Sequence, residues 1–231
     1  MSFWQRHAIF EKNSIALVIG VLIVIAIGGL VEIAPLFYLK STIEKVEGVR
    51  PYTPLELAGR NIYVREGCYN CHSQMIRALR DEVERYGHYS LAAESLYDRP
   101  FQWGSKRTGP DLARVGGKYN HAWHYDHMRD PRSISTGSNM PGYPWMLESN
   151  TDYAALSAKI RVQRMLGVPF PNWSPADIDR LAHDQAKEIA KELKAEGRYT
   201  DPDKEIVALT AYLQSLGKRW DPVGGPAAAG K

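Results

Sequence analysis

Cys68-Tyr69-Asn70-Cys71-His72 constrains this chain more than any other segment, because two thiols three residues apart with an imidazole directly after them suit one chemistry. Each thiol can add to a vinyl group of a haem, and the histidine then reaches the iron from the same short turn, which is the attachment pattern of a c-type haem. The chain has no further cysteine, so neither thiol has a distant disulfide partner or a four-cysteine metal site to join. Two other readings fit less well. A thioredoxin-like Cys-x-x-Cys follows a strand, whereas Ile62-Tyr63-Val64-Arg65-Glu66-Gly67 reads as the end of a helix. Half a zinc site needs two more ligands at short spacing, and no cysteine remains to supply them.

A second feature sets where such a haem would sit. Asn13 to Val31 carries no charge, apolar residues resume after Glu32 as far as Leu39, and Lys12 and Lys40 bound the stretch. A helix of about 20 residues crosses a hydrocarbon core of roughly 30 Å. Phe3, Trp4 and Phe10 on one flank, with Phe37 and Tyr38 on the other, suit the two interfacial aromatic belts. A cleaved signal peptide would have an apolar region of about 7–15 residues followed by a small-x-small site. The stretch here is longer and no Ala-x-Ala follows it, so it reads as an uncleaved anchor in membrane lipid.

Charge does not orient the anchor, since Arg6 and Lys12 precede it while Lys40, Lys45 and Arg50 follow. The haem does, because c-type haems are attached outside the energy-coupling membrane. Residues 1–12 are therefore expected in the cytoplasm, 13–39 across the inner membrane of a bacterium, and the remainder in the periplasm. Glu32 either snorkels to the headgroups or meets a partner on a neighbouring protein. Gly20, Gly28 and Gly29 would let another helix approach closely.

At 231 residues the chain has room for one anchor and one domain of ordinary size. Its 29 lysines and arginines are dispersed and the net charge is only +3, which gives no footprint for nucleic acid. A linker rich in turn formers fills residues 40–54, the haem domain is expected over 55–217, and the Gly/Ala/Pro-rich residues 218–231 read as a disordered tail. A helix runs from about Leu55 to Val64 on the stripe Leu55, Ala58, Ile62 and Tyr63. Another, over Asp203–Gly217, presents Ile206, Leu209, Leu213 and Leu216 on one face.

Read with the haem motif, this helix pair resembles the crossed N- and C-terminal helices of class I cytochromes c, which implies a mainly α fold of that class behind one transmembrane helix. Thr108-Gly109-Pro110-Asp111-Leu112 resembles the Gly-Pro-x-Leu segment of those proteins. The resemblance implies that the Pro110 carbonyl accepts a hydrogen bond from the ring of His72, a contact that fixes ring orientation and basicity. For the sixth iron ligand, Met140 lies among turn formers in Ser138-Asn139-Met140-Pro141-Gly142-Tyr143 and resembles the Met-Pro-x-Tyr ligand loop. Met1 lies across the anchor, Met75 follows His72 too closely, and Met146 reads as packing but stands in reserve. His121, His124 and His127 are the alternative ligands; their spacing runs along a helix, where exposed or propionate-side roles are expected. A His/Met pair raises the reduction potential and leaves no open position, so the haem should pass single electrons and take no small-molecule substrate.

The wider segments Gly67 to Arg77, Arg107 to Tyr119 and Trp123-His124 resemble the mono-haem subunit of cbb3-type cytochrome c oxidase, and the likeness covers nearly the whole chain. That resemblance implies one covalent haem c and no catalysis by the subunit alone. It implies electrons arriving from a di-haem cytochrome c subunit and leaving to the haem b of the haem–copper catalytic subunit. Residues 79–106 and 151–197 are then helical insertions, expected as docking surface ahead of a merely variable helical hairpin, with Ser174 and Pro175 opening a helix. Arg107 and Tyr119, ahead of Arg114, Lys118 and Trp123, are expected at the haem propionates, with a solvated face as the competing account. A tethered donor subunit of another complex, such as nitric oxide reductase, is the alternative, and a haem-based sensor a more distant one.

Overall fold

The computed structural model describes residues 3–37, 39 and 49–219. It divides the chain into two compact units, Met1–Glu44 and Lys45–Lys231. Among the described residues the fold is helical, with no strand beyond an isolated bridge between Asn150 and Lys204.

The first unit holds α1 (Phe3–Lys12) and α2 (Ser14–Ile33), followed by a 3₁₀ turn, Ala34–Phe37. α1 adds to the single helix that the sequence predicts for this unit. Asn13 separates the two helices as an N-cap, its side chain accepting from the amides of Ile15 and Ala16 at 3.1 and 3.2 Å. Ser14–Leu36 is long and apolar enough to cross a membrane, and its apolar side chains point outward. Gly20 faces the ring of Phe10, whereas Gly28 and Gly29 have open space beside them. Glu32 is exposed. Tyr38, Lys40 and Lys45 lie outside the described residues, as do most of the expected linker and of the tail.

The second unit is built around two crossed helices, α3 (Pro54–Arg65) and α9 (Glu205–Ser215). Thr53 starts α3 with a capping box: its hydroxyl accepts from the Glu56 amide at 3.2 Å, and the Glu56 carboxylate accepts from the Thr53 amide at 2.8 Å. Arg65 joins the end of α3 to the start of α9 through two hydrogen bonds of 2.6 Å to Glu205. Between them run α4 (Arg80–Tyr86), α5 (His121–Arg129), the single turn α6 (Pro131–Ile134), α7 (Leu156–Met165) and α8 (Pro175–Ala195).

The stripe on α9 predicts one buried face, and the structure buries the rest of the helix as well. Every residue from Glu205 to Leu213 is buried. The reason is that α3 packs along α9 while α5, α8 and the turn Pro144–Leu147 close its other sides; the α8 stripe of Ile178, Ala182, Ala186, Ile189 and Leu193 packs against both α3 and α9. The second insertion is thus tied into the domain core. Thr53 Oγ1 donates to Gln185 at 2.7 Å, Glu196 accepts from the Ala122 amide at 2.7 Å, and Arg198 grips Asp126 at 2.8 Å. Ser174 caps α8 with Pro175 in its first turn, as the sequence predicts, and the helix runs on to Ala195. The first insertion also folds back: the Trp103 carbonyl accepts from the Gln74 amide at 2.7 Å and the Ile76 carbonyl from the Ser90 amide at 2.8 Å.

Candidate haem site

Gly67 ends α3, and Cys68–Asn70 turns as a 3₁₀ helix directly after it. The Cys68 carbonyl accepts from the amides of both Cys71 and His72, at 3.2 and 2.9 Å, so one turn gathers the two thiols and the imidazole. Both cysteines are free; Cys68 is partly buried and Cys71 exposed. Burial, reinforced by Glu66, pushes the Cys68 thiol up to about 12. Redox-active Cys-x-x-Cys thiols and thiolate metal ligands need the opposite shift. The dithiol alternatives weaken accordingly, while addition to a vinyl group remains open.

Residues 109–112 run beside 71–73. The Cys71 carbonyl accepts from the Gly109 amide at 2.9 Å, and the Ser73 carbonyl from the Leu112 amide at 2.8 Å. This pairing places the Pro110 carbonyl oxygen 2.8 Å from Nδ1 of His72. Proline has a carbonyl but no amide hydrogen, so nothing at position 110 competes for the ring nitrogen as a donor. With Nδ1 occupied, Nε2 is the nitrogen left for a metal.

A cavity of about 500 Å³ opens beside this turn. Cys68, Cys71, His72, Pro110, Tyr119 and Met140 all line it, together with apolar walls from Leu112, Val115, Met128, Leu209 and Leu213. Met140 sits in a loop pinned at its end by Tyr143, whose amide donates to the Met128 carbonyl at 2.7 Å. Met146 is fully buried in the core and away from the cavity wall. Tyr119 stacks on Trp123 with centroids 3.9 Å apart. Two thiols, the His72 imidazole with Nε2 unbonded and the Met140 thioether, around a mostly apolar cavity that Met128, His124 and His127 also line, form a donor set that fits a haem.

Arg107 is placed differently from its expected role. Its guanidinium donates to Glu82 and the Met75 carbonyl at 2.7 Å each, and its Nε to Ser73 Oγ at 2.7 Å, and it is not on the cavity wall. It belongs to a polar lock around Asp111. That buried carboxylate accepts from Ser73 Oγ at 2.6 Å and from the amides of Met75 and Ala113 at 2.9 and 2.8 Å. Arg114 lines the cavity but is paired with Glu94 at 2.5 Å. Sequence reasoning missed this lock, because its carboxylates are unremarkable until the chain folds.

Of the exposed and propionate-side roles expected for His124, the structure removes the exposed one. His124 is 1% exposed, and neither ring nitrogen has a hydrogen-bond partner, nor does Nδ1 of its neighbour His127. Both histidines line the cavity. A buried polar group left unsatisfied costs about 1–3 kcal/mol, so this wall offers ring nitrogens to a polar occupant.

A helical domain whose crossed end helices carry Cys-x-x-Cys-His and a methionine loop around one cavity, behind an apolar helix, is a membrane-anchored cytochrome c domain. The model of the family described as cytochrome c oxidase, mono-haem subunit/FixO matches residues 7–220, and the chain belongs to that family. No curated protein matches the chain.

Proposed function

We propose that this chain is a single-electron relay, carrying one haem c held by thioethers at Cys68 and Cys71 with His72 and Met140 as iron ligands. It takes electrons from a di-haem cytochrome c subunit and delivers them to the haem b of a haem–copper catalytic subunit. Its N-terminus is cytoplasmic, α2 spans the inner membrane once, and the haem domain is periplasmic. The observation that carries this reading is the shared cavity: His72, held through Nδ1 by Pro110, and Met140 line the same space as both cysteines.

When bound, the haem supplies a one-electron couple between ferrous and ferric iron. The chain's residues do the rest. Pro110 orients His72 and strengthens its donor character, which favours a stable ligand set. Leu112, Val115, Met128, Leu209 and Leu213 exclude water, so the charge change on the iron is felt in an apolar setting. With the Met140 thioether and the His72 imidazole both holding the iron, no position would remain for a substrate, and the subunit would not be catalytic by itself.

The test is purification of the full chain in mild detergent. A haem that stays with the polypeptide under denaturing conditions is expected, together with a co-purifying multispanning subunit that carries haem b and copper. A haem extractable by acidified solvent would overturn covalent attachment, and a chain that runs alone would overturn the relay's stated partners.

A further inference from the structure

Two histidines near this cavity have opposite circumstances. His72 has a ring nitrogen satisfied by the Pro110 carbonyl at 2.8 Å. His124, on α5, is more deeply buried and has neither nitrogen satisfied. Its surroundings are aromatic: Trp123 meets it edge-on at 5.3 Å and Tyr119 at 6.2 Å. The facing groups on its own helix are His121 and His127, and burial together with these two holds the His124 imidazolium down at about 4. A neutral imidazole still carries one N–H, and buried donors are paired in nearly all folded proteins.

A haem brings two carboxylates into the cavity, and they need donors there. Arg107 is off the wall, and Arg114 is held by Glu94. Lys118 is on the wall, near the face of Tyr119 at 5.5 Å. We propose that His124 is a positioning residue for the haem, its N–H donating to a propionate carboxylate. This rests on the haem reading above. An ionised carboxylate near the iron favours the ferric state. A neutral N–H donor that disperses this charge raises the midpoint potential and keeps the propionate ionised through the neutral range, without adding a charge of its own.

The experiment is a redox titration of the full-length holoprotein in detergent at a series of pH values, for wild type, His124→Phe, His124→Asn and His124→Gln. His124→Phe is expected to lower the midpoint potential and to give it a pH dependence near neutrality. At least one amide variant, which returns an N–H at the position of one ring nitrogen, is expected to restore both. A His124→Phe protein that keeps its haem with an unchanged potential and pH profile would overturn the proposal, as would amide variants that both behave like phenylalanine. Should the phenylalanine variant lose its haem, ¹⁵N-histidine NMR of the wild-type protein decides. A slowly exchanging His124 ring N–H shifted by the oxidised iron supports it, and ring nitrogens indifferent to redox state overturn it. Failure of the ligand reading is separable, because it would appear in wild type as absence of the far-red band of iron–methionine coordination, whatever His124 does.

Discussion

The Cα of Gly59 on α3 lies against the carbonyl oxygen of Ala208 on α9, so closely that a methyl group at position 59 would overlap it and sit 2.8 Å from Cβ of Tyr212. One partner is main chain and cannot swing aside. The crossing distance of the two helices is therefore set by an absent side chain. It brings Tyr63 and Tyr212 to 5.3 Å and holds the turn at Cys68 beside Leu209 and Leu213, which line the same cavity.

Gly59→Ala should accordingly destabilise the haem domain. Helix propensity alone would favour alanine by about 1 kcal/mol, but forcing a group into a packed interface costs about 1–3 kcal/mol, and more where backbone must move. The second effect wins, and a net loss of about 1–3 kcal/mol is expected. Urea denaturation of the detergent-solubilised protein measures it; a variant as stable as wild type would mean that the crossing is not set at Gly59.

A second glycine guards the proposed ligand His72. A methyl group at Gly109 would lie 2.7 Å from Nδ1 of His72, in the space its hydrogen bond to Pro110 requires. Gly109→Ala should tilt or displace the imidazole and weaken its donor strength. The expected result is a perturbed absorption spectrum and a shifted midpoint potential while the thioethers stay intact. An alanine variant with wild-type spectrum and potential would show that the ring has room to move.

The parts of this site that were readable in the sequence are local ones. Cys68 to His72 is one turn, Ser138 to Tyr143 is one loop, and the capped start of α8 is written in Ser174-Pro175. What could not be read depends on a third element arriving. The stripe on α9 looks like one face of a helix until α3, α5 and α8 close around it, and Arg107 looks like a haem-facing cation until Glu82 comes within 2.7 Å. His124 sits in a polar run of α5 whose pattern does not show which residues turn inward. In each case the composition of the segment is compatible with either environment, and tertiary packing chooses.

Two thioethers line the cavity, Met140 from a loop and Met128 from α5, where it is 8% exposed and belongs to the core. Substitution separates their roles. Met140→Leu should abolish the far-red iron–methionine band and lower the potential, since a weaker or vacant sixth position no longer favours ferrous iron. Met128→Leu, a nearly volume-conserving change, should keep the band and cost less than about 1.5 kcal/mol of stability. The reverse pattern would reassign the ligand to α5.

Glu82 offers a prediction in pH. Its carboxylate accepts from Arg107 at 2.7 Å, from the Arg77 amide at 2.8 Å and from the Arg77 side chain. Arg107 foremost, with Arg77, holds this carboxylate at about 2, down from the ordinary 4.5. In the unfolded chain the same group takes up its proton near the ordinary value. The ion pair therefore favours the folded state fully above about pH 4.5, and that contribution fades as pH falls towards about 2. Because Arg77 is 59% exposed, salt should screen part of the effect. Urea midpoints followed across this window should fall more steeply for wild type than for Glu82→Gln, with the gap narrowing in high salt. Arg107 also holds Ser73 Oγ and the Met75 carbonyl, next to His72, so the absorption spectrum should begin to change over the same interval in wild type. Parallel acid profiles for the two proteins would show that the Glu82 pair contributes nothing to holding the haem turn in place.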